Sequence, residues 1–298
     1  MSKGVFWSLL SAFLWSTTFI CSRYLLADGR VDPFTLATLR FTGGGVLLLA
    51  AGLIWRREEI LALRRTDAAQ SALLALFGVG GMCVFLFCGQ ESIGAIDSSI
   101  LMQVSPVFIV ILGLFIGERM RWVGVAGLFF SFLGTLLVMR VLDRQGLHMT
   151  LSHSGGSLLT IASALCWAIY AVFSKGLVAR LGGYAATTWV MLAGALELLA
   201  LQLLLPVAHQ WPDTPQRWMV VAYLVVFPTA LGYLAWYEAM RLIRLSLLNV
   251  MQYLTPVFVI ILAWGLLGER LSPGQWVGAA IVLTGVCLVS YRHPCAGG

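Results

Sequence analysis

Apolar residues in this chain run in blocks long enough to cross a bilayer, since a membrane-spanning helix needs roughly 20 mostly apolar residues. Charged residues, glycine or proline separate neighbouring blocks. The connectors are short, so no soluble domain of useful size is expected. The pattern predicts ten spans, at positions 4–26, 34–55, 70–90, 94–116, 121–140, 155–178, 185–207, 216–238, 246–267 and 274–292.

Composition supports lipid as the surrounding solvent. The chain is 60% hydrophobic and 11% charged, with a mean hydropathy of +0.91. A soluble globule of 298 residues could not bury that much apolar surface. The first block is long for a signal peptide and carries Trp15, so we interpret it as the first span. The predicted class is an all-α integral membrane protein.

The positive charges indicate an orientation and give no sign of a nucleic-acid partner. The net charge is +6, but the basic residues are scattered between spans and form no stripe. With the N-terminus inside, most of them fall on the inner side, which is the usual bias of membrane proteins. We therefore expect a multi-pass protein of the bacterial inner membrane with both termini cytoplasmic.

No metal or cofactor is predicted. The six cysteines show no C-x-x-C spacing, and His148 and His153 have no third ligand nearby. The chain also lacks the sequence patterns of a phosphate-binding loop, a nucleophile elbow or a zinc protease. We expect no catalytic residues, and the small-residue patch "GVGG" at Gly78 is interpreted as helix packing.

One long motif occurs twice. "MQVSPVFIVILGLFIGER" begins at Met102 and "MQYLTPVFVIILAWGLLGER" at Met251, and their prolines, Pro106 and Pro256, are 150 positions apart. "SAFLW" and "SALCW" match in the same way, in the first and sixth spans. Each copy then holds five spans, and an odd number turns the second copy over in the membrane. The predicted fold is two inverted-topology five-helix repeats, at 1–145 and 155–292, followed by a disordered tail at 293–298.

Inverted repeats are typical of transporters that alternate between two access states, with the substrate near the midplane beside broken helices. The broken helices here are the duplicated ones. Because proline lacks an N–H group, Pro106 and Pro256 deprive the carbonyls of Met102 and Gln252 of their usual helical donors. A packing kink is the alternative interpretation, since membrane helices tolerate such prolines. Two equivalent prolines favour a hinge or a site wall.

A second indication comes from the first and sixth spans. At helical spacing, Ser11, Trp15 and Thr18 share one face, and Trp167 and Tyr170 share the equivalent face. Hydroxyls beside tryptophan are typical of a small-molecule cavity. Close helix packing through small hydroxyl residues is the alternative. We expect Trp15 and Trp167 to flank a substrate as repeat-related walls.

The candidate substrate-binding residues combine these faces with polar and aromatic positions of the fourth, eighth and ninth spans. They are Ser11, Trp15, Thr18, Ser98, Met102, Gln103, Pro106, Trp167, Tyr170, Tyr237, Asn249, Gln252, Tyr253 and Pro256. Among charges within the spans, Glu197 is the deepest acid, and Arg40 is the cation hardest to explain as an interfacial residue.

The duplicated Pro-Val-Phe with Gly-Glu-Arg, followed each time by Trp-Val-Gly, resembles the EamA-type members of the drug/metabolite transporter superfamily. Within that family the chain looks most like the YddG-type exporters of aromatic and other hydrophobic amino acids. The resemblance covers nearly the whole chain. It implies a basket of ten helices whose fourth and ninth members line a central cavity.

These observations predict a secondary transporter, without enzyme activity, that exports aromatic or hydrophobic amino acids by alternating access. A broad exporter of drugs or purine-type metabolites is an alternative, because aromatic linings suit such cargo too. A membrane enzyme or a receptor-like scaffold for a lipid-soluble ligand is the alternative from another class. The expected partners are the lipid bilayer and an amino acid-like small molecule, and the expected state is a monomer.

Overall fold

The chain folds into helices packed side by side, apart from one pair of two-residue antiparallel strands, β1 (Leu142–Asp143) and β2 (Gly146–Leu147). The architecture is given by a computed structural model. It describes residues 2–26, 30–92, 101–117, 122–138, 142–143, 146–147, 154–204, 209–267 and 273–291.

The helices follow the apolar blocks of the sequence. Before the strands lie α1 (Ser2–Leu26), α2 (Pro33–Trp55), α3 (Arg57–Leu61), α4 (Arg65–Ala75), α5 (Met82–Ser92), α6 (Ser105–Phe115) and α7 (Trp122–Val138). After them lie α8 (Ser154–Leu204), α9 (Pro215–Leu224), α10 (Gly232–Leu242), α11 (Leu245–Met251), α12 (Leu254–Leu267) and α13 (Pro273–Tyr291). Two π-helical segments, Leu76–Gly81 and Val225–Leu231, join α4 to α5 and α9 to α10.

Five helical stretches in the described part of the chain are long and apolar enough to cross a membrane. They are Lys3–Leu26, Pro33–Trp55, Arg65–Gln90, Gly155–Leu204 and Pro215–Leu242. Shorter apolar helices occupy Ser105–Phe115, Val125–Gly134 and Trp276–Gly285. The prediction of a multi-pass, all-α membrane protein is therefore confirmed, while the count of ten spans stays a prediction.

The longest helix, α8, contains two of the predicted spans. Its backbone leaves helical geometry at Gly182, where φ is 79° and ψ is 166°. Glycine reaches positive φ without the steric penalty of a side chain. The kink separates a stretch that carries Trp167 from one that carries Glu197, at the place where the sequence pattern predicts a connector.

Helix irregularities occur at corresponding places in the two halves. Both π-helical segments interrupt the helix that precedes the duplicated proline motif, and the chain makes a short turn at 103–104 and again at 252–253. In the second turn the carbonyl of Gln252 accepts a hydrogen bond from the N–H of Thr255 at 2.9 Å. This carbonyl, which the sequence predicts to lose its helical donor, therefore gains another partner.

Polar contacts tie the two halves together at both ends of the bundle. Beside the start of α2, the Asp32 carboxylate accepts hydrogen bonds from the N–H of Thr35 at 2.9 Å and that of Gln210 at 2.8 Å. Beside the start of α4, the buried carboxylate of Asp67 pairs with Arg180 at 3.0 Å. The contacts of Asp32 with Gln210 and of Asp67 with Arg180 each join a residue of the first half to one of the second.

Helices α7 and α13 approach closely through small residues. A Cβ atom added at Gly134 would lie 2.7 Å from the backbone nitrogen of Val282 and 2.8 Å from the carbonyl oxygen of Gly278. One added at Gly285 would lie 2.2 Å from the Ser131 hydroxyl. Small residues permit such backbone approach between membrane helices, where packing stabilises association.

We predict that Gly134→Val destabilises the protein, because the obstructing atoms belong to the backbone of α13 and cannot rotate away. Overpacking of this kind costs about 1–3 kcal/mol, which should lower the thermal unfolding midpoint in detergent. Gly155→Val is the matched control, because a Cβ at Gly155 has no neighbour within 4 Å. Equal midpoints for the two variants would contradict the close approach.

Candidate functional site

Six aromatic side chains from both halves form one contiguous cluster in the middle of the bundle. The cluster consists of Trp15, Trp167, Tyr170, Tyr233, Trp236 and Tyr237. The rings of Trp15 and Trp167 meet edge to face, with centroids 5.1 Å apart and planes at 88°. The rings therefore leave no room for a ligand between them. In place of two flanking walls, the structure puts both tryptophans in one continuous wall.

Hydrogen bonds fix the orientation of the cluster. The indole N–H of Trp15 donates to the carbonyl oxygen of Pro228 at 3.0 Å. Pro228 lies inside the π-helical segment Val225–Leu231. The hydroxyls of Tyr170 and Tyr237 lie 2.6 Å apart, and both side chains are fully buried. The cluster is thus positioned by polar contacts as well as by ring packing.

Glycines let neighbouring helices reach the cluster. A Cβ at Gly78 would lie 2.3 Å from the ring of Tyr170, and one at Gly232 would lie 2.9 Å from the indole nitrogen of Trp15. The interpretation of Gly78 as part of a packing patch is confirmed. Both glycines lie in or next to the π-helical segments.

A cavity lies against the cluster, with about 780 Å³ of empty space that is partly continuous with the outside. Its lining is mostly apolar, with a few polar groups, which is the usual make-up of small-molecule sites. The candidate residues in its wall are Trp15, Thr18, Met102, Gln103, Pro106, Trp167 and Gln252. Other residues in the wall are Phe19, Arg40, Met82, Cys83, Leu86, Phe87, Ser105, Ile109, Tyr233 and Thr255.

The remaining candidate residues lie elsewhere. Tyr170, Tyr237, Tyr253, Ser11 and Pro256 are buried in helix packing and do not contribute to the cavity wall as the structure describes it. Ser98 lies outside the described residues, and so does the side chain of Asn249. Substrate contact by any of the candidates is a proposal that we take up below.

The wall formed by Cys83, Leu86 and Phe87 on α5 was not predicted. The sequence repeat contained the signal, because the shift of 150 positions between the two prolines relates Tyr233 to Cys83 and Tyr237 to Phe87. The aromatic surface of the eighth span was recognised in the sequence, but its repeat equivalent in the third span has smaller or non-polar side chains and does not stand out.

Arg40 is the one charged side chain in the cavity wall as the structure describes it. It is 4% exposed, and its Nε donates to the hydroxyl oxygen of Thr229 at 3.1 Å. Its guanidinium carbon lies 5.7 Å from the ring centroids of both Phe41 and Phe87. Glu197 does not belong to the described wall. Within the described ranges, no group of three His, Cys, Asp or Glu side chains could hold a metal ion.

The helices and the cavity together define a multi-pass membrane protein with an internal small-molecule cavity to which both halves contribute. Comparison of the sequence with known protein families assigns the chain to one of them. A model of the EamA-like transporter family matches the chain twice, over residues 2–140 and 154–291. The chain belongs to the EamA-like transporter family.

Relatives over most of the chain are transporters by name. YyaM of Bacillus subtilis, an uncharacterized transporter, is 27% identical over 275 residues, which is 92% of this chain and 88% of YyaM. A probable terminal-alkyne amino-acid exporter of Streptantibioticus cattleyicolor is 29% identical, covering 98% of this chain and 95% of the relative. The aromatic amino acid exporter YddG of Ancylobacter novellus is 28% identical, covering 82% of each chain.

A solved crystal structure has the same fold. Its TM-score is 0.82 at 24% identity, and the match covers 98% of this chain and 97% of the other. Family and relatives thus agree on a membrane transporter of small molecules rather than an enzyme.

The hydroxyl pair of Tyr170 and Tyr237 supplies a test of the cluster. Each single change to phenylalanine should destabilise the protein by about 1–3 kcal/mol, because it leaves one buried hydroxyl unpaired. The double change should cost less than the sum of the two. A double-mutant cycle on the unfolding free energy measures the coupling, and strictly additive effects would show that the two hydroxyls do not interact.

Proposed function

We propose that this protein exports aromatic and other hydrophobic amino acids across the bacterial inner membrane by alternating access. The observation that carries the proposal is the cavity whose aromatic wall is assembled from both halves. Trp15 comes from the first half and Trp167 and Tyr233 from the second, and all three line the cavity. The apolar side chain of an amino acid could pack there against the edges and faces of these aromatic rings, which are the arrangements that aromatic pairs prefer.

The aromatic cluster is the barrier in the proposed transport cycle. Between the cavity and the end where α1 begins, Trp15 packs on Trp236, and Ser11 and Ser8 are fully buried. At that end, a Cβ atom added at Gly4 would lie 3.0 Å from the Cβ of Leu242. A substrate held against Trp15 and Trp167 can pass that end only if the two halves separate there. Repeats of opposite orientation supply two related arrangements, one open to each side.

The orientation and the oligomeric state belong to the same proposal. Both termini face the cytoplasm, as the excess of basic residues on that side supports. The closed end of the cavity then faces inward, and the protein acts as a monomer because each chain contains both repeats. The export of an aromatic amino acid by YddG of Ancylobacter novellus is consistent with the same class of cargo.

Flux into liposomes that contain only this protein tests the function directly. Labelled phenylalanine should cross faster than in empty liposomes, and runs with and without a pH gradient report whether protons drive the movement. A protein that moves aromatic drugs or purines but no amino acid would contradict the proposed cargo and favour the broad exporter. No flux of any of these compounds would contradict transport through the cavity.

Replacing either wall tryptophan should weaken the apparent affinity for phenylalanine. An aromatic contact contributes about 0.5–1.5 kcal/mol beyond its area, so Trp15→Ala and Trp167→Ala should each raise the half-saturating concentration several-fold. Trp276→Ala is the matched control, because that side chain is 65% exposed on the lipid-facing surface that we assign to it. Normal affinity in both wall variants together with failure of the control would place the site elsewhere.

The paired prolines should govern the rate more than the affinity. Pro106 lines the cavity and Pro256 is its buried repeat equivalent, each just after a turn in the helix. Pro106→Ala combined with Pro256→Ala restores two backbone donors and favours straight helices. We expect slower flux from a folded, membrane-inserted protein, and undiminished flux would remove the hinge.

A further inference from the structure

Arg40 combines features that a purely structural arginine has no need of. It lies in the interior of the apolar helix α2, is 4% exposed, and forms part of the cavity wall. A charged side chain inside a membrane protein is costly unless it is paired or faces a polar space. The free-energy cost of burying the Arg40 guanidinium must therefore be offset by the groups that surround it in the cavity.

The contacts that Arg40 does make satisfy only part of its guanidinium. Nε donates to Thr229, and the faces of the group lie against Phe41 and Phe87. The terminal nitrogens Nη1 and Nη2 have no hydrogen-bond partner among the residues that the structure describes, and no described acid pairs with them. A guanidinium held at Nε presents its two terminal nitrogens as a planar fork, which matches a carboxylate.

We propose that Arg40 binds the carboxylate of the transported molecule, so that the site selects apolar and aromatic carboxylates. The inference rests on the proposed function, because it names the feature of the cargo that the same cavity recognises. A carboxylate on Arg40 would lie in the cavity that Trp15, Trp167 and Tyr233 line, which leaves their rings for the hydrophobic end of the molecule.

The charge of the cavity also bears on the amino group. The side chains of the described wall include one cation and no aspartate or glutamate. Gln103, Gln252 and Thr18 supply neutral polar groups there. An ammonium group thus has no ionic partner in the wall as described, whereas a carboxylate has one. The site should accept an aromatic carboxylate that lacks the amino group and should reject the amine that lacks the carboxylate.

A ligand series tests this selection on the unaltered protein. Calorimetric titration in detergent should use 3-phenylpropionate, its neutral isostere 3-phenylpropanamide, phenethylamine and L-phenylalanine. The carboxylates should bind tighter than the amide by about 10-fold or more, because a bond between charged partners is replaced by a neutral one. Phenethylamine should bind weakest. Equal binding of acid and amide would overturn the assignment to Arg40.

Variants locate the selection at Arg40. Arg40→Gln should abolish the preference for the acid over the amide, and Arg40→Lys, which keeps the charge but loses the fork, should retain part of it. Arg56→Gln is the matched control, because Arg56 lies outside the cavity and pairs with Glu59 at 3.2 Å. An unchanged preference in a folded Arg40→Gln protein would overturn the proposal. If the variant fails to fold, the wild-type series still decides.

The two proposals fail in different ways. Phenylalanine flux with no preference for the carboxylate would overturn the role of Arg40 and leave the export function intact. Absence of both binding and flux for the whole series would overturn the export function and the inference with it.

Discussion

The edge-to-face contact between Trp15 and Trp167 is the constraint on which the rest of the structure depends. In a bilayer, lipid tails are as apolar as the side chains, so no hydrophobic force draws helices together. Close packing and internal hydrogen bonds must stabilise the association. The aromatic cluster supplies part of the packing between the halves, and in the proposed transport cycle it is the barrier at one end of the cavity. In that proposal, contacts that stabilise this state also form the barrier to passage.

The π-helical segment Val225–Leu231 contacts both the aromatic cluster and Arg40, the charged side chain of the described cavity wall. The carbonyl of Pro228 accepts the indole N–H of Trp15, and the hydroxyl of the next residue, Thr229, accepts the Nε of Arg40. Proline has no N–H to donate, so the helix around it adopts wider turns whose backbone groups are free for other partners. A movement of this one segment would act on the aromatic wall and on Arg40 together.

The sequence was sufficient to predict an all-α membrane protein, because the length of an apolar block is a local property of composition. The division into two halves was also predictable, because the duplicated motif is visible by comparing the sequence with itself. It also predicted that Trp15, Trp167, Gln103 and Gln252 belong to one site, because they lie in motifs that occur in both halves, and all four line the cavity. It did not predict the direct contact of the two tryptophans, because helix spacing gives the face of a side chain and not the distance across the bundle. Tyr170 and Tyr237 were predicted to bind the substrate, but they do not belong to the described cavity wall, and their buried hydroxyls are paired with each other.

The π-helical segments and the part of the cavity wall on α5 were not predicted from the sequence, because no local pattern marks them. Leu76–Gly81 contains no proline, so nothing local marks its wider turns. Within this segment Gly78 lies against the ring of Tyr170, which is a contact between distant parts of the chain. Arg40 was visible as an unusual charge in an apolar helix, but its partner Thr229 lies 189 positions away.

The central claim is that the closed end must open for transport, and a reversible crosslink across that end tests it most directly. A Cβ atom at Gly4 would lie 3.0 Å from the Cβ of Leu242, so a small outward shift of the two helices would bring the pair to the separation of about 3.8 Å found in disulfides. Gly4→Cys with Leu242→Cys, in a background with the native cysteines replaced by alanine, should lose flux on oxidation and regain it on reduction. The oxidised protein should still bind phenylalanine in the cavity. Full flux through the oxidised, crosslinked protein would contradict the account.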